Sequence, residues 1–166
     1  MSSPNPFDAN ASAYDAWYDQ NPVLYELELS AIGELLPPPD QGRRLEIGVG
    51  SGRFAGPLGF TDGIDPGQNL LRMAASTGLA VRQGVAEQLP YADDSFTVVG
   101  IFTALEFFSN PAAALAQVRR VLTRDGVLVL AWLNRASTVG HQLADTRAED
   151  LYYAGANFYS PDEIVD

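Results

Sequence analysis

The chain of 166 residues contains no cysteine and only one histidine, His141. The absence of cysteine excludes disulfides, thiolate metal ligands and a cysteine nucleophile. The isolated histidine beside Gly140 is more typical of a surface position than of a general base. Hydrophobic residues still make up 46% of the sequence, which is ordinary for a globular protein. We therefore expect one folded domain with a substantial core.

Positive charge is scarce. The ten basic residues are all arginine and face 21 acidic residues, giving a net charge of −11. The only adjacent pairs are Arg43-Arg44 and Arg119-Arg120. Because nucleic-acid binding requires clustered basic side chains, we expect no nucleic-acid partner, and we interpret the acidity as a solubility feature.

Long apolar runs are also missing. No stretch approaches the roughly 20 apolar residues that a membrane helix needs. Residues 1–6 lack the basic and apolar regions of a signal peptide. We expect no membrane association and a cytoplasmic location.

What the sequence does contain is an alternation of apolar strands with helical patterns. The expected strands are residues 43–47, 60–64, 79–83, 96–102 and 126–133. The expected helices are an aromatic segment within 7–18, a helix from Pro22 that the prolines 37–39 end, and residues 52–58, 68–76 and 111–122.

This alternation predicts a Rossmann-like, doubly wound α/β fold, with a mostly parallel sheet between two helical layers. In such sheets ligands bind beyond the carboxyl ends of the strands. The glycines at 48–52, Asp65, the loop at 84–87 and the segment at 102–106 all follow predicted strands. We expect them to converge on one cleft.

The most specific stretch runs from Leu45 to Phe54, where a strand breaks into glycines at 48, 50 and 52. Alternate glycines leave the backbone bare for a ligand. Carboxylates at Glu46 and Asp65 favour a cationic, hydroxyl-rich ligand such as S-adenosylmethionine. The nicotinamide dinucleotide fingerprint needs a small residue where Arg53 stands, and Glu46 is a poor neighbour for a pyrophosphate.

These motifs resemble those of class I S-adenosylmethionine-dependent methyltransferases. Leu45–Phe54 resembles motif I, and residues 63–66 the acidic second motif. Residues 84–91 with 93–96 are similar to the adenine-side motif and the entry to strand 4, and residues 118–126 to the turn that precedes strand 5. Residues 14–17 fit the small-molecule branch typified by ubiquinone and menaquinone biosynthesis methyltransferases.

The resemblance implies a site for S-adenosylmethionine, with S-adenosylhomocysteine as the product. The implied contacts to its methionine part are Gly48, Gly50, Ser51 and Gly52, with Glu46 near its ammonium group. Asp65, followed by Pro66, takes the ribose hydroxyls. The alternatives are that Glu46 caps amides of the glycine turn and that Asp65 is an ordinary turn residue.

On the adenine side the implied residues are Val85, Ala86 and Glu87. Val85 stands where family members often carry an acid, so the adenine amino group loses an acceptor there. The amide of Ala86 can still donate to the adenine ring. A capping or solvent-facing position is an equal alternative for Glu87.

Near the sulfonium the implied residues are Phe102 and Thr103, together with Tyr14 as part of an aromatic cover. Glu106 is the candidate catalytic residue, either as a base or as a polar anchor for the acceptor. The alternative for Glu106 is a structural position on the first turn after the strand. For Tyr14, Trp17 and Tyr18, helical spacing favours core packing of at least one ring.

The expected domain comprises an N-terminal helical lid, residues 1–39, and an α/β core, residues 43–166. The family sheet has seven strands, whereas five are predicted here, so we expect a chain truncated at its C-terminus. The alternative is a natural short form whose open sheet edge is covered by a partner or pairs in a homodimer.

The favoured function is methyl transfer to a small-molecule acceptor. A non-catalytic module that binds S-adenosylmethionine or S-adenosylhomocysteine is the alternative, and a nicotinamide-dependent oxidoreductase is less favoured. No metal site is predicted.

Overall fold

The computed structural model describes residues 5–39 and 42–165. Five strands form one parallel sheet in the order β3-β2-β1-β4-β5. Their bounds are β1 Arg44–Ile47, β2 Asp62–Asp65, β3 Ala80–Gln83, β4 Phe96–Phe102 and β5 Leu122–Ala131. The parallel sheet and its Rossmann-like order confirm the predicted fold class.

Helices surround this sheet. Their bounds are α1 Pro6–Ala9, α2 Ala11–Gln20, α3 Pro22–Leu35, α4 Gln68–Ser76, α5 Pro111–Val121, α6 Thr138–Thr146 and α7 Pro161–Val165, with 3₁₀ turns at Leu105–Phe107 and Arg147–Glu149. Proline occupies the first turn of α3 and α5, where its missing N–H costs nothing. The Ser137 and Asn110 side chains cap α6 and α5.

Three predicted elements differ most from the structure. Residues 52–58 form successive turns rather than a helix, because the glycines at 48, 50 and 52 have left-handed backbone conformations and glycine disfavours helix propagation. Strand β5 begins at Leu122, four residues earlier than predicted, because Leu122 already pairs with Phe96 across an irregular register. The aromatic segment is also divided, at Asn10, into α1 and α2.

The core lies on both faces of the sheet. On one face Leu45, Ile47 and Ile101 pack with α5. On the other, Val98 and Phe102 pack with the N-terminal helices through residues such as Tyr18. Because side chains alternate along a strand, Glu46 lies on the second face, opposite to its neighbours Leu45 and Ile47.

Within the described ranges, every helix is too short or too polar to cross a membrane.

Candidate functional site

Residues 48–52 form the glycine turn that follows β1. Gly48 and Gly50 have φ values of +77° and +53°, which L side chains rarely adopt. A Cβ on Gly48 would lie 2.4 Å from the Cβ of Ala104. The turn therefore passes against the segment that follows β4 and leaves its own backbone bare.

Asp65 lies at the end of β2 and binds two turns at once. Its Oδ2 accepts from the Gly50 amide at 3.0 Å, and its Oδ1 accepts from the Gly67 amide at 2.7 Å. Burial raises the pKa of this carboxyl, and the two amides oppose the rise. The hydrogen bond from the Gly67 amide is the one expected if Asp65 were an ordinary turn residue. The hydrogen bond from the Gly50 amide also holds Asp65 beside the glycine turn.

Glu46 is buried beneath the glycine turn, with a residue exposure of 1%. Its Oε2 has no hydrogen-bond partner among the described residues. Burial, and then the nearby Asp65, raise its pKa well above the ordinary value. The amides of Gly48 and Val49 donate to the Ile64 carbonyl, so the alternative in which Glu46 caps them is not observed.

A cleft opens between the glycine turn, the carboxyl ends of β2 to β4 and the N-terminal residues. Nine of the predicted site residues line it: Tyr14, Gly48, Gly50, Asp65, Pro66, Val85, Ala86, Glu87 and Thr103. The predicted convergence of the strand ends on one cleft is therefore observed.

Four predicted cofactor contacts lie off the cleft wall. Glu46 is buried beneath the glycine turn, and Ser51 is buried within it. A Cβ on Gly52 would lie 3.3 Å from Ala74 of α4, so Gly52 serves the packing of turn against helix. Phe102 faces the core, with its ring centroid 5.6 Å from that of Phe60. For these four residues, contact with the cofactor stays a prediction.

Glu106, the predicted catalytic residue, is fully buried and does not line the cleft. Its Oε1 accepts from the Leu133 amide, and its carbonyl accepts from the Asn157 amide at 2.8 Å. The 3₁₀ turn brings Phe107, rather than Glu106, to the cleft wall. The structural alternative thus describes its position. Burial raises its pKa and the Leu133 amide opposes the rise.

On the predicted adenine side, Val85 is 46% exposed and Ala86 is buried. Glu87 Oε1 accepts from the Asn110 amide at 2.9 Å, at the residue that caps α5. Glu87 therefore has the capping role and also lines the cleft.

Thr103 has a φ of +47°, which is uncommon for a β-branched residue. Its amide donates to the Ala131 carbonyl at 2.8 Å, which fixes this conformation at the cleft wall.

Sequence reasoning predicted an N-terminal lid that includes Tyr14, but it missed the contacts of Asp8 and Phe7 in the first described part of this lid, which we call the strap (residues 5–20). Asp8 Oδ1 accepts from the amides of Asn69 and Leu70 at 2.6 and 3.2 Å, so the strap caps α4. Phe7 lines the cleft from the same segment. An acidic residue beside an aromatic one is too common a signal to have predicted this contact.

Arg53 holds α2 against the glycine turn. Its guanidinium binds both carboxylate oxygens of Asp15 at 2.6 and 2.7 Å and those of Asp19 at 2.8 and 2.9 Å. Its charge is thus paired outside the cleft lining, which removes the phosphate contact that a dinucleotide site would use.

The glycine turn, the acid at the end of β2 and the parallel sheet together match a known domain. A family model described as a methyltransferase domain matches residues 45–130. The chain belongs to this family. It is an S-adenosylmethionine-dependent methyltransferase with a Rossmann-like class I fold.

The methyltransferase has relatives across bacteria and archaea. It is 35% identical to an uncharacterized protein of Methanocaldococcus jannaschii, over 98% of this chain and 78% of that protein. An uncharacterized Mycobacterium tuberculosis protein is 37% identical, over 93% of this chain and 55% of its own length. This methyltransferase therefore spans about half of the mycobacterial relative.

A solved structure from Thermotoga maritima superimposes on the methyltransferase with a TM-score of 0.92 and 34% identity, covering 97% of this chain and 76% of that one. It is described as an S-adenosylmethionine-dependent methyltransferase and possible histamine N-methyltransferase.

The residues that line the methyltransferase cleft, together with Glu46 beneath the glycine turn, fit the cofactor that the family uses. Because Gly48 and Gly50 have no side chains, a ligand can lie flat against the backbone of this turn. Each oxygen of Asp65 accepts one backbone amide and retains capacity for a hydroxyl donor. The unpartnered oxygen of Glu46 is a buried acceptor suited to an ammonium group.

Proposed function

We propose that this methyltransferase transfers the methyl group of S-adenosylmethionine to a small-molecule acceptor and releases S-adenosylhomocysteine. The main support is the position of the Asp65 carboxylate. It lines the cleft next to the bare glycine turn and accepts hydrogen bonds from the amides of Gly50 and Gly67. This arrangement offers a cis-diol two carboxylate oxygens.

The proposed roles are those that the resemblance implies, and the positions of several of the side chains support them. Asp65 accepts the ribose hydroxyls, and Val85 packs on the adenine beside the amide of Ala86. Gly48 and Gly50 admit the methionine part, whose ammonium is compensated by the buried charge of Glu46. When bound, S-adenosylmethionine supplies a methyl group already activated by its positive sulfur. The protein then aligns the acceptor and excludes water.

The test is calorimetric titration of S-adenosylhomocysteine into the wild type and Asp65→Ala. We expect Asp65→Ala to abolish measurable binding, because the hydroxyls lose their acceptor and the glycine turn loses its bond from Gly50. Asp162→Ala, at an exposed position in α7, is the matched control and should bind normally. Unchanged affinity of the Asp65→Ala variant for S-adenosylhomocysteine would reject the assignment of Asp65 to the ribose hydroxyls.

A thermal-shift panel separates this proposal from a nicotinamide enzyme. S-adenosylhomocysteine should raise the melting temperature, whereas NAD and NADP should leave it unchanged, because Arg53 is already paired with Asp15 and Asp19. Stabilisation by the dinucleotides alone would reject the proposal.

We also propose that residues 1–39 act as a helical lid over an α/β core, residues 43–166; residues 1–4 and 166 of these ranges lie outside the described residues. Support comes from the strap, which reaches α4 through Asp8 and reaches the glycine turn through Asp15. Phe7 and Tyr14 of this segment lie over the cleft.

A homodimer through the edge of β5 is a further proposal. In the described sheet β5 pairs on one side only, with β4, and Val127 on this strand is 39% exposed. Light scattering should give twice the chain mass, whereas a monomer at all concentrations would reject edge pairing.

A further inference from the structure

The sheet gives the parts of the cofactor an order along the cleft. Strands β1, β2 and β3 are parallel neighbours, so their carboxyl ends lie side by side. In the proposed function the glycine turn after β1 takes the methionine part, and Asp65 at the end of β2 takes the ribose. The purine base therefore lies beyond the ribose, against residues 84–87, which follow β3 and line the cleft.

The backbone fixes the turn that follows β3. The Gly84 amide donates to the Asp65 carbonyl at 3.1 Å, and the Gln88 amide donates to the Val85 carbonyl at 3.2 Å. A Cβ on Gly84 would lie 2.9 Å from Cδ1 of Ile64, so the turn packs directly on β2. Backbone contacts thus set the position of Val85 relative to the carboxylate that takes the ribose.

Two consecutive residues of this turn face the base with different chemistry. The amide of Ala86 has no protein acceptor within residues 5–39 and 42–165, so it can donate to a ring nitrogen of the base. In adenine the exocyclic amino group is attached beside such a nitrogen, and it therefore lies next to a neighbour of Ala86. One neighbour is Val85, which lines the cleft, is 46% exposed and has no hydrogen-bonding side chain.

The other neighbour of Ala86 is Glu87, whose carboxylate is already engaged. Its Oε1 accepts from the Asn110 amide at 2.9 Å, and the Asn110 side chain in turn accepts from the Ala113 amide at 3.0 Å. These bonds hold the Glu87 carboxylate at the N-terminus of α5. The amino group is thus left on the Val85 side, where the wall is apolar and open to solvent.

We infer that the cleft does not recognise the exocyclic amino group of the purine, and that it accepts S-adenosylmethionine analogues in which this group is alkylated or absent. The inference rests on the proposed function. Val85 is the residue that sets this specificity. Apolar contact and the Ala86 amide hold the ring, while the amino group projects past Val85 and stays hydrated.

The first test compares three ligands by calorimetric titration into the wild type: S-adenosylhomocysteine, its analogue with purine in place of adenine, and its dimethylamino analogue. The purine analogue removes the amino group without adding bulk. The dimethylamino analogue removes both N–H donors and adds bulk. We expect the three dissociation constants to agree within about fivefold, because a group that stays hydrated on binding contributes little to affinity.

Val85→Asp should make the site selective. A carboxylate at this position accepts from the amino group, so S-adenosylhomocysteine should bind about tenfold tighter than either analogue. Val139→Asp is the matched control, because Val139 is 62% exposed in α6 and lies outside the cleft lining. It should retain the wild-type affinity for each of the three ligands.

The outcomes separate this inference from the proposed function. Failure of the wild type to bind S-adenosylhomocysteine would reject the proposed function itself. If that ligand binds but either analogue binds more than about fivefold weaker, the amino group is recognised, by Glu87 or by Ser109 on the same wall, and the inference is wrong. It is also wrong if Val85→Asp does not discriminate among the ligands, or if Val139→Asp becomes equally selective.

Discussion

Gly48 occupies the point where the glycine turn passes closest to the segment after β4. Its φ of +77° and the 2.4 Å distance at which an added Cβ would meet the Cβ of Ala104 are two separate constraints. We expect Gly48→Ala to lower the free energy of unfolding by roughly 1–2 kcal/mol for the backbone and about 1–3 kcal/mol more for the overlap. Urea unfolding measures this loss of stability, and S-adenosylhomocysteine titration measures the ligand affinity of the variant.

Gly59→Ala is the matched control, because Gly59 has a φ of +73° and no heavy atom within 4 Å of its added Cβ. It should carry the backbone cost alone and retain ligand affinity. Equal destabilisation of the two variants, with equal affinity, would show that the contact with Ala104 is unimportant.

A comparison of the predicted and observed positions of single residues shows which features a sequence can predict. Asp65 and the glycine turn were predictable because strand, turn and acid are local in the chain. The orientation of Glu106 was not, since it depends on amides at Leu133 and Asn157, which belong to segments far along the chain. Glu106 therefore has a position in the fold that residue type and spacing do not encode.

At the scale of elements, the strap combines a cap and a cleft wall. Asp8 accepts from the first-turn amides of α4 at Asn69 and Leu70, while Phe7 beside it lines the cleft. We expect Asp8→Ala to lower the free energy of unfolding by about 1 kcal/mol. We also expect faster S-adenosylhomocysteine dissociation in stopped-flow fluorescence, because the strap loses its attachment at one end of the cleft.

Ser137→Ala separates the two effects. Ser137 caps α6 by accepting from the Gly140 amide at 3.0 Å, away from the cleft. It should lose similar stability with an unchanged dissociation rate. If the two variants release the ligand equally fast, the strap does not hold the ligand.

The elements themselves were predicted unequally. Helix α4 and strand β4 have the predicted bounds, because their hydrophobic patterns are continuous and local turns bound them. The helix predicted for residues 52–58 was wrong. The apolar spacing of this segment favours a helix, but the left-handed glycines at its start direct the backbone into turns. The early start of β5 depends on pairing with β4, a non-local contact.

At the scale of the whole molecule, the acidic composition extends into the interior. Burial raises the pKa of Glu46, Glu106 and Asp65 in the ligand-free protein. The folded state therefore binds these protons more tightly than the unfolded state, whose carboxyls titrate near about pH 4. Their stabilising contribution is complete below that pH and is lost as the pH rises through the folded pKa values.

The free energy of unfolding of the ligand-free protein should consequently fall between pH 5 and pH 8. Asp15 works in the opposite direction, because Arg53 holds its pKa below the ordinary value, but its contribution is lost only as the pH falls below about 4. Urea unfolding at several pH values should show this decline.

Glu46→Gln isolates the contribution of Glu46 to this pH dependence, since glutamine keeps the shape and cannot ionise. We expect the decline between pH 5 and pH 8 to shrink by roughly 1 kcal/mol or more, with the variant more stable than the wild type at pH 8. Glu34→Gln, on the exposed surface of α3, should follow the wild-type curve. Parallel curves for Glu46→Gln and the wild type would mean that Glu46 is already compensated in the ligand-free protein, and its proposed pairing with the cofactor ammonium would lose its electrostatic basis.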